Sequence, residues 1–165
     1  LVQIRYTNSN DSLGADEEFE QVQLNAITAR TFGRHSVLGG ARYYETLAGG
    51  APLYAQFRAG GFAKLSGYQP NELVGSNFAM VMGGYRYQFA GSGLLPAYLG
   101  MTVEYGQVAD DSDDLFDSGL FNGSIYMGYR SPIGPLYMGA AAGEAGRQRY
   151  FLTIGNIFGN SSVGR

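Results

Sequence analysis

The sequence predicts an all-β protein: a transmembrane antiparallel up-and-down β-barrel to which this chain contributes eight or nine strands. Three observations carry that expectation. Apolar and polar residues alternate with a period of two over long stretches, which marks strands with one apolar face; a helix would scatter the two sets around its circumference. Glycine supplies 26 of the 165 residues while charged residues make up only 15%, far from the composition of a charged bundle or a disordered tail. The extended stretches mostly exceed the usual soluble strand of about 5–6 residues, as tilted membrane-crossing strands must. The length allows one domain, residues 1–158, followed by a tail at 159–165.

The alternation is clearest in two places. Leu95, Ala97, Leu99, Met101, Val103 and Tyr105 share one side, with Tyr98, Gly100, Thr102, Glu104 and Gly106 between them. Phe121, Gly123, Ile125, Met127 and Tyr129 repeat the pattern against Asn122, Ser124, Tyr126, Gly128 and Arg130. Working outwards from these gives nine extended segments: 1–8, 18–32, 35–47, 53–66, 76–89, 95–107, 120–131, 135–144 and 148–158. The third shows Val37/Gly39/Ala41/Tyr43 on its apolar side, the fourth Leu53/Ala55/Phe57/Ala59, and the fifth Ala79/Val81/Gly83/Tyr85/Tyr87/Phe89.

Connections at 48–52, 90–93 and 131–135 are tight Gly/Pro turns, whereas 66–75 and 108–119 are longer and polar. Short turns on one rim and longer loops on the other suit an outer-membrane barrel, with 32–35 and 144–147 short on the loop side. Arg42, Arg58, Arg86, Arg130, Lys64 and Glu104 all fall on the side opposite the apolar set. A soluble barrel turns its apolar face inward, so the alternation alone fits either solvent. Tyr43, Tyr85, Tyr87, Tyr105 and Tyr129 near strand ends favour an interfacial aromatic girdle, and with it a charged lumen.

The stretch Gly60-Gly61-Phe62-Ala63-Lys64-Leu65-Ser66-Gly67-Tyr68 resembles the lumen-entering loop motif of the bacterial surface antigen barrels, the superfamily of outer-membrane assembly and two-partner secretion translocators. More closely, the chain resembles the barrel of bacterial patatin-like phospholipases that export their own catalytic domain. Residues 99–106, the turn Ser131-Pro132-Ile133-Gly134-Pro135-Leu136 and residues 150–158 agree in order and spacing. The resemblance implies the C-terminal half of a sixteen-stranded barrel. It also implies a terminal strand carrying Tyr150, Gly155 and Phe158 as the signal read by the barrel assembly machinery, although here the chain runs on past Phe158. The family's loop usually places an Arg against an acidic partner on a neighbouring strand; here Ser66 occupies the place beside Gly67, and Lys64 or Arg58 has to stand in.

Closure is required, because an open sheet in lipid leaves two edges of unpaired backbone groups. An eight-stranded ring, a ring completed by a second copy as a homo-oligomer, and a ring completed by a missing N-terminal half-barrel all meet that demand. Within the lumen, counting from turn centres brings Arg42, Arg58, Arg86 and Arg130 to one tier on the short-turn side. Lys64, Glu104 and Ser124 reach another tier nearer the long loops, where Lys64 and Glu104 can pair. The arginine tier reads either as a constriction for anionic groups or as simple solvation of the lumen.

No catalytic site is expected. The Gly-x-Ser-x-Gly elbow of a patatin hydrolase is absent, and residues 90–93 read as a turn. His35 lacks an acidic or nucleophilic neighbour in sequence and reads as a rim histidine. The acidic run Asp110-Asp111-Ser112-Asp113-Asp114-Leu115-Phe116-Asp117 lacks the Gly and Glu of a helical calcium loop and reads as a solvated loop. With no Cys and one His, neither a metal nor another cofactor is expected. A net charge of −3 argues against nucleic acid as a partner. The expected partners are outer-membrane lipid and the assembly machinery, and the expected location is the bacterial outer membrane. The leading reading is a non-catalytic anchor and translocator segment of a patatin-like phospholipase; a self-contained small pore or structural barrel and a soluble ligand-binding β-barrel stand beside it.

Overall fold

The computed structural model describes residues 1–10, 17–89, 97–115, 117–131 and 134–155. Phe158, the 159–165 tail, the whole 90–93 turn, Leu95, Pro132, Ile133 and the side chain of Arg130 lie outside the described residues. The described chain is all-β, with ten strands: β1 (Val2–Ser9), β2 (Phe19–Phe32), β3 (His35–Ala48), β4 (Phe57–Ala59), β5 (Leu73–Gly75), β6 (Asn77–Gln88), β7 (Ala97–Ala109), β8 (Leu120–Ser131), β9 (Gly134–Gly143) and β10 (Gln148–Ile154). Eight of them form one antiparallel sheet in the order β1-β2-β3-β6-β7-β8-β9-β10, and β4 and β5 form a separate hairpin. The sheet has two edges, β1 and β10.

Each strand separates its residues by chemistry, and the two faces of the sheet differ accordingly. In β7, Leu99, Met101, Val103 and Tyr105 are exposed while Tyr98, Thr102 and Glu104 are buried. In β8, Phe121, Ile125 and Met127 are exposed while Asn122, Ser124 and Tyr126 are buried. Pairing carries the same split sideways, since Met101 faces Ile125 and Thr102 faces Ser124. The apolar face is therefore bare, and the polar face is covered. The cover is the long connection between β3 and β6, whose hairpin and loop lie against the polar side of β6, β7 and β8. Phe57, Ala59, Ala63, Leu65 and Tyr68 of that connection pack on Phe78, Met80 and Met82 of β6.

This overturns one expected strand. Residues 53–66 are not part of the eight-stranded sheet, because β3 pairs directly with β6 from His35↔Tyr87 to Tyr44↔Phe78 and leaves no place between them. Phe57 and Ala59, expected on the apolar side of a wall strand, are buried against the covered face instead. Their apolar character serves the loop's own packing, each large side chain contributing about 1.5–3 kcal/mol when fully buried. Removing one strand also changes the rims. The turn at 32–35 now lies at the end of the sheet shared by the β6–β7 and β8–β9 connections, and no longer stands out as short on the loop side. Residues 48–52 and 66–75 become parts of one long connection at the other end.

Candidate functional site

The covering loop is held in shape by its own backbone before it touches the sheet. Gly60 and Gly61 take φ values of 109° and 100°, which only glycine adopts readily, and Ala63 and Leu65 also sit at positive φ, 59° and 67°. Those two non-glycine residues are strained, and they persist because the surroundings determine them. The N–H of Gly61 donates to the Tyr68 carbonyl at 3.0 Å, that of Gly60 to Lys64 at 2.8 Å and that of Ala63 to Ser66 Oγ at 3.1 Å. The result is a knot that presents Phe62 on one side and Ser66-Gly67 on another.

Ser66 and Gly67 dock on β7 and β8. The Glu104 carboxylate accepts the Ser66 N–H at 2.6 Å on one oxygen. Its other oxygen accepts the hydroxyls of Ser66 at 2.5 Å and Thr102 at 2.8 Å. The Thr102 and Ser124 hydroxyls are bonded at 2.7 Å, which carries the network on to β8. Beside it, Asn122 Oδ1 accepts the Gly67 N–H at 3.1 Å while Asn122 Nδ2 holds the Leu120 carbonyl. Only glycine fits at 67: a Cβ there would lie 2.6 Å from Asn122 Oδ1 and 2.7 Å from the Gly143 backbone. Further out, Arg147 pairs with Glu72 at 2.7 Å and lies over the Tyr68 ring, tying the loop to the β9–β10 turn. Glu72 is held below its ordinary value first by the Gln69 N–H and then by Arg147.

Phe62 enters an aromatic socket. Its ring stacks on Phe151 at 4.5 Å and meets Tyr126 edge-on at 4.8 Å, with Tyr137 at 5.5 Å. Glycines make this socket flat. Tyr98 lies opposite Gly128 and Tyr126 opposite Gly100, and each ring covers the glycine it faces so closely that a Cβ would strike it. Arg86 closes one flank, its guanidinium 4.7 Å from the Tyr98 ring.

The residues expected at the site fall into three groups. Gly61, Phe62, Leu65, Ser66, Gly67 and Tyr68 are all buried in the docked loop. Glu104 is the anchor, but Ser66 fills the role expected of Lys64 or Arg58. Lys64 lies over Phe78 and is pushed down to about 8, chiefly by burial and then by the nearby Arg42 charge. Arg58 pairs across the hairpin with Val74 and is exposed.

The expected four-arginine tier does not form. Arg42 lies opposite Met80 and donates to the Ala63 carbonyl, so it belongs with Lys64, while Arg86 is on the same strand as Met80, six residues along. That tier requires 53–66 to stand as a strand between β3 and β6, and the two pair directly. Arg130 occupies the register position opposite Pro135. Tyr150 is exposed on the bare face of β10, and the Gly155 N–H donates to the Pro135 carbonyl at 2.8 Å. His35 meets the Tyr85 hydroxyl at 2.6 Å. Among the described residues no group of three metal-ligating side chains gathers, the acidic run included. Asn122, Thr102 and the Tyr98/Tyr126/Tyr137 socket were not singled out from sequence; their signal was position, on the polar side of strands whose other side is apolar.

Compared with known proteins, the chain matches no family model, and no curated protein is significantly similar to it.

Proposed function

We propose that this chain is a section of the wall of a bacterial outer-membrane β-barrel, serving as the anchor and translocation unit of a patatin-like phospholipase and catalysing nothing itself. One observation carries the membrane part: the sheet is inside out by the standard of a soluble protein. Leu99, Met101, Val103, Ile125 and Met127 are 45–64% exposed, while the face bearing Glu104, Asn122 and Ser124 is covered. A soluble sheet gains its stability by burying the first set. Hydrocarbon as the solvent removes the contradiction. The apolar side of β8 from Phe121 to Tyr129 spans about 26 Å, or about 20 Å of height at a 40° tilt, close to the apolar band of such barrels.

The covered face is then the lumen wall, and its loop bears on closure. An eight-stranded ring has an interior just wide enough for its own side chains. A knot bringing Phe57, Phe62, Leu65 and Tyr68 to that face needs a wider ring, so strands beyond these eight complete it. That argument disfavours the self-contained small barrel. The surface antigen part of the reading rests on the loop motif, with Ser66 against Glu104 where the superfamily has Arg against an acid, and the patatin part on the Ser131–Leu136 turn and its spacing.

The test is extraction and size. The protein is expected to fractionate with outer membrane, to need detergent for solubility, to migrate faster unheated than heated, and to show more than eight strands per ring in a mass measurement of the particle. A monodisperse species in plain buffer would overturn the reading.

A further inference from the structure

The covered face is cationic out of proportion to the chain. Arg5, Arg42, Arg86 and Arg149 point from its strands by register, and Lys64 comes from the loop, against a single strand carboxylate, Glu104. Both Glu104 oxygens are occupied by Ser66 and Thr102. Among the described residues the one ion pair is Arg147 with Glu72, so none of these five cations has a carboxylate within ion-pair distance, although Glu104 and Glu72 act on Arg149 at longer range. Two of them are backed by rings on either flank of the Phe62 socket: Arg86 over Tyr98 at 4.7 Å and Arg149 over Phe151 at 5.6 Å. Arg86 also donates weakly to Ser36 Oγ at 3.4 Å. A guanidinium stacked on a ring keeps its donor edge free for a carboxylate.

The spacing says what kind of anion fits. Arg42 and Arg86 are six rungs apart along the β3–β6 pair, about 20 Å, and Arg149 is on the far edge strand. Arg42 lies beside Lys64, but no small anion reaches from that pair to Arg86, or from Arg86 across the sheet to Arg149. An extended chain with carboxylates along its length does.

We propose that this face binds an extended acidic polypeptide segment, with Arg86 and Arg149 as the paired contacts beside the aromatic socket. The inference rests on the reading of this face as a lumen wall. It is tested on the full chain in detergent micelles at low ionic strength, with a labelled octa-aspartate peptide, an octa-lysine peptide and inorganic phosphate as probes. Octa-aspartate is expected to bind, to weaken with added salt and to resist phosphate at equal charge, while octa-lysine does not bind. The Arg86→Gln/Arg149→Gln double substitution is expected to weaken binding at least tenfold, Arg86→Lys/Arg149→Lys to retain most of it, and Arg34→Gln on the β2–β3 turn to change nothing. Equal binding of both peptides, displacement by phosphate, or an unchanged double variant would overturn the proposal. Circular dichroism checks each variant's fold; should the Gln pair unfold, the wild-type peptide and phosphate comparisons and the Lys pair still decide. Failure in a protein that still requires detergent sinks this inference alone, whereas solubility without detergent sinks the barrel reading.

Discussion

Glu104 is the residue on which docking of the loop should depend most. Its carboxylate is 1% exposed and accepts three hydrogen bonds, two from Ser66 and one from Thr102. A hydrogen bond to a charged group is worth about 1.5–3 kcal/mol, and truncation also leaves the donors buried and unmet. The two Ser66 bonds share one carboxylate and do not add in full, so Glu104→Ala is expected to cost about 3 kcal/mol of docking, roughly a 150-fold rise in the undocked population. Glu104→Gln keeps the shape but sets an amide donor against the Ser66 N–H or the two hydroxyls, so about half that cost is expected. Hydrogen exchange of the Ser66 and Gly67 amides reads the opening directly. Both amides should accelerate in Glu104→Ala by about two orders of magnitude while β7 amides away from the site hold their protection. Unchanged exchange at Ser66 would refute the clamp and leave apolar packing as the loop's sole hold.

Gly67→Ala should release the loop more completely than Glu104→Gln, because its Cβ meets the Gly143 backbone at 2.7 Å; the same exchange experiment reads it. Gly100→Ala and Gly128→Ala should each displace a socket tyrosine, seen as altered tyrosine fluorescence together with faster exchange near Phe62. Lys64 gives a pH dependence with a definite sign. Its folded value is about 8 against an ordinary 10.5, so between these the unfolded chain binds more protons and stability rises with pH. The urea midpoint in micelles should therefore increase from pH 7.5 to pH 10, and Lys64→Met should flatten that rise. Met101→Lys or Ile125→Lys at the bare face should cost about 2–4 kcal/mol at mid-membrane, measured by refolding into lipid vesicles, whereas a water-exposed face would tolerate either change.

The antiparallel sheet was legible in the sequence because one physical rule, alternation with period two, governs β7 and β8 from end to end. It failed at 53–66, where Phe57 and Ala59 alternate with polar neighbours for a different reason: they pack a loop onto Phe78, Met80 and Met82. The sign of this was present in β6. Phe78-Ala79-Met80-Val81-Met82 is apolar on both sides, unlike β7 and β8, and apolar residues on the side that is polar elsewhere call for a cover there. The short 32–35 turn on the wrong rim was a second sign that one strand had been counted in excess. The site was half legible. Glu104 and Ser66 could each be picked out, but their contact could not, since a buried Ser bonding through both backbone and hydroxyl leaves no charge pattern to read. Asn122 became visible only once Gly67 was seen against it.

The central claim concerns which solvent meets which face, and the absence of cysteine makes it directly measurable. Single cysteines at Leu99, Met101, Val103, Ile125 and Met127, and at the opposite-face positions Arg5 and Arg86, can each carry a spin label in protein reconstituted into lipid vesicles. The account predicts that the first five collide with oxygen dissolved in the bilayer and are shielded from a water-soluble nickel chelate, with the other two showing no such lipid signature. Collision of the Met101 and Ile125 labels with the aqueous reagent, or their occlusion from both, would contradict it.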